Sequence, residues 1–414
     1  MPRTIRTEIV VIGSGPGGAT AADELAALGR DVCILEKGNH HGRSCLHKNS
    51  SSPFATGLKL IRKGLGIKPV SRDIPVRTWI GVGGASTVAS ANALRGWEKE
   101  LLSHGVDIAP HFDELEKTTP VIPMPERLIG RGARLLWKAA ESLGIPMERM
   151  PKMIDAARCQ SCGNCNAQCP HNAKWTALWP LQRAEENHAV LMQEVTATEL
   201  ITSNGRAAGI KALDGKGGQI FVEADKVILA GGALATPELL QKAGLDDAGP
   251  GLFCHPFHIV HGPLSGQRLK QEPRAVFSSH FLAKQGFTLA NDVVGGDLGI
   301  MIKTKDEGDG RVYPSGAVQK EYTPELLKTS RTSISLAREI LVKAGVNQRK
   351  IEVRFHAALH PGGTAAIGRV LDARMETEIK NCYVADASAL PSSTGLPPLL
   401  TIMALARHLA KNLD

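Results

Sequence analysis

The stretch Ile9-Val10-Val11-Ile12-Gly13-Ser14-Gly15-Pro16-Gly17-Gly18 decides the fold. An apolar, β-branched run leads into G-x-G-x-x-G, and an Ala- and Leu-rich segment follows that reads as a helix. The glycines permit a tight turn, let a backbone approach a pyrophosphate and let helix and strand pack closely. The helix N-terminus then offers unpaired N–H groups to phosphate. Val32-Cys33-Ile34-Leu35 reads as the next strand, and Glu36 at its end is placed to hydrogen-bond a ribose hydroxyl. Gly13, Gly15, Gly18 and Glu36 are therefore candidate cofactor-binding residues of an α/β, Rossmann-like domain.

Working outward, residues 39 to 78 show weak periodicity and a basic stretch from Lys59 to Lys68, and read as a loop-rich excursion returning at Gly81-Val82-Gly83-Gly84. The alternation from Val190 to Val222, with Asn204-Gly205 as a turn signal, predicts a small strand meander. The strand Lys226-Val227-Ile228-Leu229-Ala230 breaks at Gly231-Gly232, with a helix near Pro237. Tyr383-Val384-Ala385-Asp386 reads as a strand ending in an acid, ahead of a helix from about Leu399. An acid there suits a flavin's ribityl chain, and a helix N-terminus aimed at an isoalloxazine would stabilise the reduced ring. These segments predict a discontinuous FAD-binding domain (1–95, 190–254 and 351–414), a helical cysteine segment (96–189) and a substrate-domain segment (255–350).

The 414 residues suit two interleaved domains at about 150 residues each. The net charge is +8, from 49 basic and 41 acidic residues, yet the basic residues are spread out, which argues against nucleic-acid binding. No apolar run approaches the roughly 18 residues that span a bilayer, and Met1 to Arg6 lacks the apolar stretch of a signal peptide. The expectation is a soluble, cytoplasmic protein without a transmembrane segment.

Of the 8 cysteines, four form Cys159-x-x-Cys162-x-x-Cys165-x-x-x-Cys169-Pro170, the bacterial ferredoxin spacing, which predicts a [4Fe-4S] cluster. All four local thiolates form one ligand set; the first three with a remote cysteine such as Cys254 form another. Zinc is disfavoured because the run lacks two separated knuckles, and a structural remnant is the other alternative. A cluster passes electrons singly, so a protein or quinone acceptor, or a second subunit, is the expected redox partner.

Together these blocks resemble the glucose-methanol-choline (GMC) FAD-dependent oxidoreductases. The resemblance rests on Gly13 to Gly18 with Glu36, Gly81 to Ser86 with Asn92, Leu229 to Ala233 with Thr236-Pro237, and His255-Pro256. Further along, it rests on His360-Pro361-Gly362-Gly363-Thr364, Ala385 to Ser388 and Thr401 to Ala406. It implies FAD-dependent oxidation of an alcohol to a carbonyl, with a smaller substrate domain built on a β-sheet. His360 would stand close to the flavin N5, and an imidazole is suited to take the alcohol proton while hydride leaves. It also implies that Gly83, Gly84, Asn92, Gly231, Asp386 and Pro397 border the cofactor. Members similar to long-chain alcohol oxidases show a Cys-Gly-x-x-Cys stretch followed by Lys, here Lys174, without evident need of a cluster.

Two departures stand out. Gly395-Leu396-Pro397-Pro398 places Pro397 where the family usually carries Asn or His, so the second active-site group is absent or comes from elsewhere. The chain is also shorter than typical family oxidases, which implies a trimmed substrate domain. Two further functions remain open: an electron-transfer flavin/iron-sulfur subunit of a larger complex, or a carbon-carbon desaturase.

Overall fold

The computed structural model describes residues 3–47, 73–167, 169–278 and 282–413. Most of the excursion read over 39 to 78, including the basic stretch Lys59 to Lys68, lies outside them.

Two sheets carry the molecule. In the first, the order is Val190–Gln193, Val32–Glu36, Arg3–Ile12, Gln219–Leu229, Arg206–Leu213, Thr196–Ser203, and Cys382–Val384 also pairs with Gln219–Leu229. Ile9 to Ile12 run parallel to Val32–Leu35 on one side and to Lys226–Leu229 on the other. Such a central strand is covered on both faces, and Ile9, Val10 and Val11 are fully buried. The predicted meander is the antiparallel hairpin Thr196–Ser203 and Arg206–Leu213, turned by Asn204 (φ 51°) and Gly205 (φ 74°). The fold class read from the sequence is the one observed.

The second sheet runs in the order Arg43–His47, Val76–Ile80, Glu352–Gly362, Pro250–Gly262, Asp297–Thr304, Phe287–Val294, Val276–Phe277, Glu148–Arg149. The stretch 255–350, illegible as a sequence pattern, supplies its long antiparallel strands and the helix Pro324–Lys343. That helix starts where Thr323 accepts a hydrogen bond from the Leu326 N–H. It buries Leu326, Ser330, Ser333, Ile334, Ala337, Ile340 and Leu341, one face at helical spacing, and Ile334, Ala337, Ile340 and Leu341 pack with Leu289, Ile300 and Ile302 of the sheet. No helix among the described residues is long and apolar enough to cross a membrane.

Close backbone contacts gather where the first strand ends. A Cβ on Gly17, in the helix Pro16–Ala27, would lie 1.7 Å from the Ala385 carbonyl oxygen, and one on Gly18 would lie 2.0 Å from that of Gly13. The helix thus touches the backbone just past the ends of two strands that flank Gln219–Leu229, which only glycine allows. Gly17→Ala should force this crossing apart and destabilise the fold by about 3 kcal/mol, the upper end of overpacking costs. A urea midpoint equal to wild type would show that the crossing tolerates a methyl group.

Candidate functional site

Gly13 (φ +106°) sits so close to the neighbouring strand that a Cβ would lie 2.4 Å from the Ala230 oxygen, whereas a Cβ on Gly15 would meet nothing within 4 Å. The open space lies at the N-terminus of the first helix, where no side chain caps the free N–H groups and no acidic residue intrudes. A second glycine loop closes the opposite side: a Cβ on Gly84 (φ +55°) would come within 2.7 Å of the Gly15 Cα. Ser14 links the two loops, its Oγ accepting from the Gly83 N–H (3.1 Å) and donating to Glu36 (2.6 Å). Glu36 also accepts from the Ser14 N–H (3.0 Å) and Gly38 N–H (2.7 Å) and is buried. A dinucleotide pyrophosphate fits this cradle, because the space beside Gly15 is what a side chain there would fill.

Asp386 is buried and accepts four hydrogen bonds, from Gly232 N–H (2.8 Å), Thr236 Oγ1 (2.6 Å), Ser388 N–H (2.7 Å) and Ser388 Oγ (2.5 Å). Its carboxylate therefore ties the Gly231-Gly232 turn to the 385–388 segment. This is the acid that the sequence suggested for a flavin's ribityl chain. Asn92 stands in a loop with Ala91 at φ 52°, and its buried Oδ1 has no partner among the described residues. Pro397 is buried just ahead of Pro398, which begins the helix Leu399–Lys411.

His360 lies at the end of the strand Glu352–Gly362 with φ 56°, a left-handed conformation rare outside glycine. Its Nδ1 is 3.2 Å from Nδ1 of His255, on the adjacent strand Pro250–Gly262, with the ring centroids 5.4 Å apart and the planes at 77°. His255 Nε2 is 3.1 Å from Ser393 Oγ, which also accepts from the Asp306 N–H at 3.4 Å. The polar neighbour of His360 is thus His255, on the adjacent strand. Burial pushes the His360 imidazole down to about 3, and the positive charge of Lys303 adds to this. Burial, then His360 and Lys303, hold His255 well below its ordinary value. Both rings are neutral in the physiological range, unlike the near-neutral titration expected of an exposed histidine.

His255 appeared in the sequence only as part of His255-Pro256, and Ser393 not at all. Lys303 was also missed, although a lysine ending the apolar run Ile300-Met301-Ile302 is a visible signal.

The cysteine run forms a loop against the Gly84–Thr87 turn and the residues after it. Lys174 donates to the carbonyls of Thr87 (2.7 Å), Ala89 (2.9 Å), Cys165 (2.8 Å) and Ala167 (3.2 Å), and Lys152 to that of Ser90 (2.8 Å). Cys159, Cys162, Cys165 and Cys169 are free thiols. Cys159 packs against the apolar cluster of Met124, Leu128 and Ile129, and burial raises its pKa. Burial acts in the same direction on Cys169, but the N–H groups of His171, Ala173 and Lys174 outweigh it and lower the pKa. Among the described residues no group of three or more His, Cys, Asp or Glu is gathered to hold a metal. The spacing therefore does not by itself bring the four thiols into a ligand set, and the expected [4Fe-4S] site is not supported by this geometry.

A profile described as GMC oxidoreductase matches residues 60–272, a second with the same description matches 304–406, and an NAD(P)-binding Rossmann-like profile matches 11–64. An uncharacterized GMC-type oxidoreductase of Mycobacterium tuberculosis is 27% identical, over 99% of this chain and 76% of its own length. An uncharacterized protein of Methanocaldococcus jannaschii is 29% identical over 98% and 99% of the two chains. A long-chain-alcohol oxidase of Arabidopsis thaliana is 23% identical over 97% and 67%. The crystal structure of pyridoxine 4-oxidase from Mesorbium loti shares the fold, with a TM-score of 0.75 at 15% identity over 98% and 99% of the chains. With its family profile spanning half of the sequence and both glycine loops in place, the chain belongs to the GMC oxidoreductase family.

Proposed function

We propose that this flavoprotein oxidises an alcohol to a carbonyl with FAD as hydride acceptor, and that His360 takes the hydroxyl proton. The observation that carries this reading is the pair of imidazoles, Nδ1 to Nδ1 3.2 Å apart, on the two central strands of the second sheet. When bound, FAD accepts the hydride. Gly13, Gly15 and Gly18 would cradle its pyrophosphate and Glu36 its ribose, while Gly83, Gly84, Asn92, Gly231 and Pro397 border it.

The tautomers follow from the hydrogen bonds. If His255 donates from Nε2 to Ser393 Oγ, its Nδ1 is bare and accepts from the Nδ1–H of His360. His360 then presents a bare Nε2, the lone pair a general base needs. His255 holds that tautomer and disperses the charge that forms when the proton arrives. Such a pair suits alcohol oxidation better than an electron-transfer subunit or a desaturase. The reading also draws on the long-chain-alcohol oxidase among the relatives. Cytoplasmic location belongs to this proposal as well.

A second reading concerns how electrons leave. Lys152 and Lys174 are buried beside the cysteine run without a carboxylate partner among the described residues, and anionic thiolates would offset both charges. A [4Fe-4S] cluster on Cys159, Cys162, Cys165 and Cys169, passing electrons to a protein or quinone acceptor, would supply that charge. Forming it requires Cys159 to leave its apolar contacts. Anaerobically purified protein should then hold about four irons and four sulfides per chain. Stoichiometric zinc, or protein free of iron that still reduces its acceptor at full rate, would remove this reading.

Gly15→Val should abolish FAD binding, since the branched side chain occupies the open cradle while leaving the crossing at Gly17 intact. Full flavin content after refolding would place the cofactor elsewhere. His360→Ala should slow flavin reduction about 10²- to 10⁴-fold, the usual range for a positioned base, with FAD content unchanged. The imidazole pKa is lowered to about 3, so the base is already deprotonated at neutral pH and its activity is lost only as pH falls toward that value. The wild-type rate of flavin reduction should therefore show no His360 titration between pH 6 and 9. A His360→Ala variant that reduces its flavin at the wild-type rate would leave the electron-transfer reading in its place.

A further inference from the structure

The described residues bury four lysines, and three of them have evident partners. Lys320 pairs with Asp306 (3.2 Å) and Asp309. Lys174 donates to four carbonyls and Lys152 to one. Lys303, 5% exposed, has no hydrogen bond or ion pair among the described residues. It stands on the strand Asp297–Thr304 directly across from Phe257, whose ring is 5.4 Å from that of His360. Paired residues of an antiparallel ladder share a face, so Lys303 shares the face of Phe257. Its charge contributes to the lowered pKa of both His360 and His255, which puts it within electrostatic reach of the proposed base.

An ammonium on a largely buried side chain without a counter-charge among the described residues is costly, and the two nearby imidazoles do not offset it. We infer that Lys303 determines specificity by pairing with a carboxylate on the substrate, so that the substrate class is alcohols bearing a carboxylate, the hydroxy acids. This inference rests on the proposed oxidation at His360. A single ammonium matches a monoanion, whereas a phosphate dianion would call for a second cation. Two residues earlier, on the same face, Met301 packs with Leu94, Phe277, Ala290 and Leu396, an apolar wall suited to an aliphatic body. Burial lowers the Lys303 pKa to about 7, and a bound carboxylate would restore the charged form.

The test uses the FAD-loaded protein and follows perturbation of the flavin absorbance by hexanoate and by hexanamide. Wild type should bind hexanoate about 10- to 100-fold more tightly, the range of a charge-assisted hydrogen bond. Lys303→Met should erase that preference with FAD content unchanged, and Lys303→Arg should keep much of it. No preference in wild type, or a preference that survives in Lys303→Met, overturns the inference; the wild-type comparison decides even if the variant fails to fold. Failure of the underlying reading looks different: no alcohol, charged or neutral, would reduce the flavin, while hexanoate would still bind through Lys303. If Lys303→Met instead stops reduction by neutral alcohols and hydroxy acids alike, Lys303 belongs to the chemistry and the specificity role is wrong.

Discussion

The close crossing of the first helix over two strand ends is the constraint on which the rest depends. Gly17 brings the helix onto the Ala385 carbonyl and Gly18 onto that of Gly13, while Gly13 itself lies against Ala230. With these contacts made, the helix N-terminus points into the one open place in the turn, beside Gly15. Both acids that the family pattern highlights serve this junction from inside. Glu36 holds Ser14, and through it Gly83, while Asp386 holds Gly232 against Ser388. The cradle is thus a consequence of packing: the backbone must be bare where the strands meet, and a bare backbone is what an anionic pyrophosphate binds.

The same economy of position governs the chemistry on the second sheet. His255 and His360 come from neighbouring strands, and a bulge in the ladder between Phe253 and His255 lies just before their meeting point. Bulges redirect side chains locally, and here the two Nδ1 atoms face each other. Burial keeps both rings neutral, so one lone pair is free to accept a proton without first losing one. A protonated pair would meet the charge of Lys303 as well. An anion beside Lys303 therefore also eases protonation of His360, linking charge at the substrate's tail to proton transfer at its hydroxyl.

What was legible in the sequence is local. The strand, glycine turn and helix occupy consecutive residues, and the Asn204-Gly205 hairpin is set by two residues that accept positive φ. Residues 255–350 resisted reading because their strands have no solvent face: all but the last residue of Phe287–Val294 is buried, which removes the alternation that marks a strand. The cysteine spacing was legible as a string, but side-chain direction is not in the spacing, and Cys159 turns toward Met124 and Leu128. The pairing of His255 with His360 joins positions 105 residues apart, and nothing local announces it.

Pro397 is where the sequence departs from the family pattern. The place where the resemblance calls for Asn or His is occupied by a side chain that neither donates nor accepts, and its neighbour Leu396 packs toward Met301 and Leu94. That side of the pocket is apolar as a result. In the proposed mechanism hydrogen-bonding capacity lies behind His360, in His255 and Ser393, where it would orient the base without touching the substrate. Under the proposed oxidation, polar contact with the substrate falls to His360 and Lys303. A site so arranged would recognise its ligand by one hydroxyl and one charge beside apolar side chains, which is a narrower requirement than a second hydrogen bond at the hydroxyl would impose.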